Sequence, residues 1–310
     1  MTLTQLEYVL ALNKHKNFKK AAEACHITQP TLSMQVQKLE EDLGLIIFDR
    51  TKSPIVATLK GKIFIDQAKI VLGESKKLKD IALKTIDPLK GELRVGIIPT
   101  LAPYLIPLFL DNFLKKYPHI NLIINEFQTH EIVNLLENDQ LDLGLLVTPL
   151  EKTNFFERVL FYEPFLAYFS PQNELLKKKK INKDDLKDQK VWVLAEGHCF
   201  RNQTLNICTR NLNKNYQNII FEGGQLETLK NLVKRNNGLT LVPYLSTHYS
   251  KELDLIRPFS GQVPTREVSI VVNRFFHKEE MVDVLEEEIL AVLPEGIESK
   301  KSKKIKVIRI

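Results

Sequence analysis

The sequence predicts a multidomain chain: an all-α front with one edge hairpin, a long connecting helix, and an α/β body. Three observations predict it. Apolar residues recur at helical spacing from Leu3 to about Leu43, in three short runs. The stretch from Thr58 to about Lys84 contains no proline and keeps an apolar seam. Beyond Gly91, branched apolar runs alternate with amphipathic segments, the pattern of a mostly parallel sheet flanked by helices.

A chain of 310 residues has room for two or three cores. Its 44% hydrophobic and 26% charged residues are ordinary for a soluble protein. It shows neither an apolar run long enough for a membrane span nor an early signal peptide, so a cytoplasmic location without a membrane partner is expected. The net charge of +6 is unevenly spread. Residues 1–90 hold 15 Lys or Arg against 10 acids, residues 91–298 hold 23 against 28, and residues 299–310 add six bases. A basic front on an acidic body suggests a polyanion-binding module.

In the front, Thr2 or Thr4 opens a helix carrying Leu3, Leu6, Val9, Leu10 and Leu12, and Asn17 caps a second with Phe18, Ala21, Ala22 and Cys25. Thr28 caps a third, with Pro30 in its first turn, Leu32, Val36 and Leu39 on its core side, and Gly44 at its end. A tight joint at His26-Ile27 makes these a helix-turn-helix. The third helix would enter a major groove, with Thr28, Gln29, Pro30, Thr31, Ser33 and Gln35 at or near bases and phosphates. Leu45–Phe48 reads as a strand opening a hairpin that places Arg50 and Lys52 beside the sugar-phosphate backbone, as a wing. Thr58 caps the long helix, whose seam of Leu59, Ile63, Ala68, Ile70, Leu72, Leu78 and Ile81 exceeds what one small domain covers, so pairing with a second copy is expected.

In the body, strands are expected at Leu93–Ile98, Ile120–Ile124 and Leu141–Val147, then at Phe165–Phe169, Val191–Leu194, Ile219–Phe221, Leu239–Val242 and Val268–Val272. Helices are expected over Leu105–Phe113, after Thr129, over Arg201–Arg210 and over 277–293. This gives two lobes joined by crossing segments around a hinged cleft, with Thr100 and Thr129 just beyond strand ends.

Three cysteines argue against a disulfide-stapled secreted scaffold. Cys25 reads as a packed bystander. Cys199 lies near a helix start beside His198 and Arg201, where helix-end amides and cationic neighbours favour the thiolate. Across nine helical steps, about 13 Å, Cys208 is out of reach of a disulfide, which needs Cα atoms within about 7 Å. Joining the two requires refolding. Two independent buried thiols remain the alternative, and the spacing does not form a metal site.

Phe18-Lys19-Lys20-Ala21-Ala22, Thr28-Gln29-Pro30-Thr31-Leu32-Ser33, Leu39-Glu40-Glu41-Asp42-Leu43-Gly44 and Phe48-Asp49-Arg50 together resemble the amino-terminal domain of LysR-type transcriptional regulators. The resemblance implies a winged helix-turn-helix over residues 1–57 and a dimerising linker helix and hinge over 58–90. It further implies a two-lobed, periplasmic-binding-protein-like α/β regulatory domain, with lobe one at 91–164 and 268–298 and lobe two at 165–267. Residues 299–310 form a basic tail, open to two readings: nonspecific contact with DNA, or a solvated terminus.

Leu194 through Gln203 and on to Cys208, with Pro99-Thr100, Gln128-Thr129-His130 and Glu227-Thr228-Leu229, is similar to the redox loop and pocket of the peroxide-sensing members of that family. That similarity implies Cys199 as peroxidatic and Cys208 as resolving, with Thr100, Thr129, His198 and Arg201 positioning peroxide and Arg266 near the pocket. It implies promoter DNA, RNA polymerase, hydrogen peroxide as signal and a cellular dithiol reductant as partners. A homodimer assembling to a homotetramer, bound to the bacterial nucleoid, is implied as well. No cofactor or metal is implied, and the protein is expected to be a switch rather than an enzyme. Asn202 departs from the aspartate of a familiar version of the motif, which removes a negative charge beside the thiol. Two rivals stand beside this reading: a metabolite-responsive regulator of the same family, and a thiol peroxidase with an accessory DNA-binding segment.

Overall fold

The computed structural model describes residues 1–83, 88–187, 189–208, 224–248, 252–274, 276, 278–299 and 305–308. They form two compact units, divided between Asp87 and Pro88.

The first unit is built on helix caps. Thr2 and Gln5 exchange hydrogen bonds in a capping box that starts α1 (Leu3–His15). Asn17 accepts from the Lys20 amide to start α2 (Phe18–Ala24). His26, at φ 55°, makes the tight joint before α3 (Gln29–Leu43), which Thr28 caps and Gly44 ends at φ 60°. Leu6, Val9, Leu12, Ala21, Ala22, Leu32, Val36 and Leu39 close the core between the three helices. The small alanines of α2 let its neighbours approach.

The wing is shorter than expected. Only Phe48–Asp49 (β1) pairs, antiparallel, with Val56–Ala57 (β2). Leu45–Ile47 are not strand because their polar backbone groups are engaged elsewhere: Glu40 Oε1 accepts from the Ile47 and Phe48 amides, and the Ile47 carbonyl accepts from Thr58. Thr58 then caps α4 (Leu59–Leu83). Gly61 is required there, since a Cβ would lie 2.0 Å from the Ile47 carbonyl oxygen. The seam of α4 divides. Ala68 packs inward beside Ile65, whereas Leu59, Ile63 and Leu78 are 82%, 70% and 69% exposed. The Ile81 side chain lies outside the described residues.

The second unit opens as alternating strands and helices: β3 (Gly91–Ile97), α5 (Ala102–Lys116), β4 (Ile120–Glu126), α6 (Thr129–Glu137) and β5 (Leu143–Thr148). There follow β6 (Phe155–Phe169), α7 (Cys199–Cys208), α8 (Leu226–Arg235), β7 (Leu239–Pro243), β8 (Ile256–Pro258), β9 (Val263–Asn273), α9 (Glu279–Ala291) and β10 (Ile305–Val307). The sheet order is β4-β3-β5-β9-β6-β7, with β10 added to β9 and β8 to β6. β3, β4 and β5 are parallel, and β9 runs antiparallel to both β5 and β6.

Several expected elements change. Phe165–Phe169 is not a separate strand but the far end of β6. That strand pairs with β9 as far as Pro164 and with β7 from Phe165. The expected strand Val268–Val272 likewise begins at Val263. Val191–Leu194 forms only one bridge, Val191 to Leu239, because Thr240 Oγ1 takes the Trp192 carbonyl that a ladder would need. Ile219–Phe221 and Arg210 lie outside the described residues. Helix α7 starts at Cys199, two residues earlier than expected. Within the basic tail, 300–304 and 309–310 lie outside the described residues, but 305–308 are held in the fold, with only Lys306 of the four exposed. Ile305–Val307 pair with Val263–Thr265, and Ile308 is buried in the core of this unit. Alternating apolar residues win over the surrounding charge.

Candidate functional site

Cys199 begins α7 and is buried. Burial pushes its thiol up, opposed by the Arg266 cation, the Thr129 hydroxyl and the amides of Phe200 and Cys199 itself. Thr129 reaches this position because it opens α6, just after Gln128, whose amide donates to Glu131 Oε2 at 2.9 Å. Its Oγ1 is buried with no oxygen or nitrogen partner. Gly197 makes the approach possible: at φ 90°, it sits where a Cβ would lie 2.3 Å from Gln128 Oε1.

Arg266 projects from β9 and is fully buried, as is Glu163, its register partner on β6. Its Nε donates to Glu163 Oε2 at 2.8 Å, Nη1 to Thr100 Oγ1 at 3.0 Å and Nη2 to the Thr100 carbonyl at 3.1 Å. Glu163 Oε1 accepts from the Leu245 amide at 2.7 Å. The guanidinium also lies over the Phe200 ring, 5.7 Å from its centroid. A buried ion pair is tolerable only when its remaining hydrogen-bonding capacity is satisfied, and this one is well supplied. Thr100, accepting from Arg266, keeps its own proton free to donate.

Two expectations about this site need correction. Arg201 does not supply the charge beside Cys199: its Nη1 donates to the Leu194 carbonyl at 2.8 Å, and Arg266 is the cation acting on the sulfur. His198 is buried, and burial holds its imidazole below the usual range, which disfavours the cationic form expected of it. The structure therefore brings together Cys199, Thr129, Arg266 and Thr100, with His198 adjacent in the chain. Cys208 stands apart at the other end of α7. It is buried, with its thiol pushed up to about 12 by desolvation and only weakly countered by Lys183. Asn202 is exposed. Glu163 was missed in the sequence, although a single acid inside the apolar run Leu160–Leu166 is a usable signal.

In the first unit, Thr28 Oγ1 lies 2.8 Å from Thr31 Oγ1, and Gln29 and Pro30 are exposed at the start of α3. Ser33 is half-buried, and Gln35 is held by its carbonyl, which accepts from Gln5 Nε2 at 3.2 Å. Arg50, expected beside the sugar-phosphate backbone, is exposed and also engaged within the unit. It pairs with Glu40 at 2.7 Å and lies over the Phe18 ring, because Glu40 has a second oxygen to offer after capping Ile47 and Phe48. Lys52 is exposed and sits 3.7 Å from Asp49. Among the described residues there is no cluster fit to hold a metal ion, and no helix is long and apolar enough to cross a membrane.

A capped helix-turn-helix with a short wing, followed by a two-lobed α/β unit, defines a bacterial transcriptional regulator. Residues 3–62 match the bacterial regulatory helix-turn-helix proteins of the lysR family, and residues 87–294 match the LysR substrate binding domain. The chain belongs to the LysR family. Within that family it resembles OxyR. It is 33% identical to the DNA-binding transcriptional dual regulator OxyR of Escherichia coli over 273 residues, covering 87% of this chain and 89% of that one. It is 37% identical to the hydrogen peroxide-inducible genes activator of Haemophilus influenzae over 246 residues, covering 79% and 81%. A cysteine-to-aspartate variant of full-length Pseudomonas aeruginosa OxyR superposes with a TM-score of 0.75 at 31% identity, covering 97% of this chain and 99% of that one. A peroxide-bound variant of Corynebacterium glutamicum OxyR gives 0.62 at 25% identity, covering 94% and 92%.

Proposed function

We propose that this chain is a peroxide-sensing transcriptional regulator of oxidative-stress genes, switched by a reversible Cys199–Cys208 disulfide. One observation carries the proposal: two buried thiols close the ends of a single helix, and only the first lies beside a buried cation and a buried threonine hydroxyl that has no oxygen or nitrogen partner. That asymmetry separates a reacting thiol from a trapping one.

In this reading Cys199 thiolate attacks one oxygen of hydrogen peroxide. The O–O bond breaks, the sulfur becomes sulfenic acid, and hydroxide leaves to take up a proton as water. Thr129 and Thr100 donate hydrogen bonds to the two oxygens, and Arg266 offsets the negative charge on the sulfur and the leaving oxygen. Cys208, as thiolate, then attacks the sulfenic sulfur, forming the S–S bond and expelling hydroxide. Because nine helical steps of α7 separate the two backbone positions by about 13 Å, this second step requires the helix to unwind. A cellular dithiol reverses it by exchange.

The output is placed on promoter DNA. The start of α3, from Thr28 to Ser33, is proposed as the reading surface, Lys52 as a phosphate contact, and Leu59, Ile63 and Leu78 as the face that pairs two copies. Assembly to a tetramer and recruitment of RNA polymerase complete the reading. The test is a promoter footprint of the full chain before and after peroxide, with thiol mapping by mass spectrometry. Wild type should form the Cys199–Cys208 link and shift its footprint, and Cys199→Ser should do neither while still binding DNA when reduced. A footprint shift that persists in Cys199→Ser would overturn the assignment.

A further inference from the structure

The second step above requires α7 to come apart, so whatever holds its middle governs the switch. Gln203 lies there, four residues from Cys199 and five from Cys208, and is completely buried. Its Nε2 donates to the Ile308 carbonyl at 2.6 Å. Ile308 is fixed in turn: its amide donates to the Thr265 carbonyl at 2.8 Å, and its side chain is buried in the core of the regulatory unit. Ahead of it β10 lies parallel to β9, with Ile305, Lys306 and Val307 opposite Val263, Pro264 and Thr265. Thr265 adjoins Arg266. One ladder therefore ties the strand that carries the buried cation, the segment 305–308 and the sensor helix.

We propose that Gln203 is a positioning residue for the cysteine pair, and that β10 acts through it as a strap holding α7 in its helical, dithiol form. The strap sets how much oxidant is needed to close the disulfide. This inference rests on the disulfide switch proposed above.

The direction follows from the hydrogen bonds. While α7 is helical, Gln203 Nε2 and the Ile308 carbonyl satisfy each other away from water, whereas Gln203 Oε1 is buried with no hydrogen-bond partner among the described residues. Unwinding α7 carries Gln203 away and leaves a buried carbonyl without its donor. The bond belongs to the dithiol form alone. Removing it penalises that form and leaves the disulfide form untouched. A hydrogen bond of this kind is worth roughly a five- to tenfold change in an equilibrium constant.

The experiment equilibrates the full chain with defined ratios of reduced and oxidised glutathione. One glutathione disulfide takes two hydrogens from the protein dithiol, leaving the protein disulfide and two glutathiones. Gln203→Leu keeps the volume and removes both the donor and the unpartnered Oε1, a chain ending at Lys304 removes the strap, and the two are combined so that the loss of Oε1 cancels. Asn206→Ala, at an exposed position on the same helix, is the control. The truncation should favour the disulfide about five- to tenfold in the otherwise wild-type chain, a midpoint some 20–30 mV more negative by the two-electron relation, and should shift it much less in Gln203→Leu, where the bond is already absent. A purely structural role would weaken both redox forms alike and leave the midpoint in place. A truncation that leaves the midpoint in place, or shifts it equally with and without Gln203→Leu, overturns the inference. Failure of wild type to close the disulfide at all overturns the switch itself, a different result.

Discussion

The buried pair Arg266–Glu163 allows stability and reactivity to be separated by mutation. Arg266→Met leaves a fully buried Glu163 carboxylate with only the Leu245 amide for support. Breaking a buried pair in this way costs about 3–5 kcal/mol. Adding Glu163→Gln removes the orphaned charge while keeping an oxygen for the Leu245 amide, so the double variant should recover most of that loss in urea denaturation. Reactivity should not recover. Arg266 is the main charge opposing desolvation of the Cys199 thiolate. A cation at close range lowers a thiol by about 1–3 units, each worth tenfold in thiolate at neutral pH. On a Cys208→Ser background, where sulfenic acid accumulates, the double variant should therefore react with peroxide roughly 10- to 1000-fold more slowly. Trapping the sulfenic acid with a dimedone-type reagent and following its mass gives the rate. A double variant as stable as wild type and equally fast would refute the assignment of Arg266 to the sulfur.

Other outcomes follow from individual contacts. With its thiol at about 12 against an ordinary 9.0, Cys208 in the reduced chain should carry about 1000-fold less thiolate at pH 8 than an exposed cysteine, and be alkylated correspondingly slowly. Because that raised value favours the folded, protonated form, the stability it contributes is full below pH 9.0 and is lost as pH rises toward about 12, to the extent of about 4 kcal/mol. A flat stability profile across that window would contradict it. Gly197→Ala meets both a φ of 90° and a Gln128 oxygen at 2.3 Å, so it should destabilise the unit by about 1–3 kcal/mol in urea denaturation and slow Cys199 oxidation. In DNA titrations over a range of salt, Lys52→Ala should lower the slope of log affinity by about 0.9. Arg50→Ala, whose guanidinium is engaged with Glu40, should instead lower the thermal stability of the first unit.

Local chemistry was legible in the sequence, and long-range chemistry only partly so. The caps at Thr2, Asn17, Thr28 and Thr58 were readable because each satisfies amides within three residues. The cysteines were readable by residue type. Arg201 is the cation near Cys199 in the chain, whereas Arg266, the one that acts on the sulfur, arrives from a strand that only the sheet brings close. Val191–Leu194 has a strand's composition, but periodicity cannot reveal that Thr240 takes its carbonyl. At the other end, lysines drew attention away from Ile305-Lys306-Val307, where alternation alone would have signalled a strand edge.

The two crossings between lobes are not loops but the long strands β6 and β9, joined from Phe155–Asn273 to Pro164–Thr265. Such a bridge resists the clamshell closure by which two-lobed receptors usually report an occupant. In the proposed switch, unwinding α7 would then act by reshaping the regulatory unit's own surface, and two copies sharing that surface would re-seat against each other rather than bite.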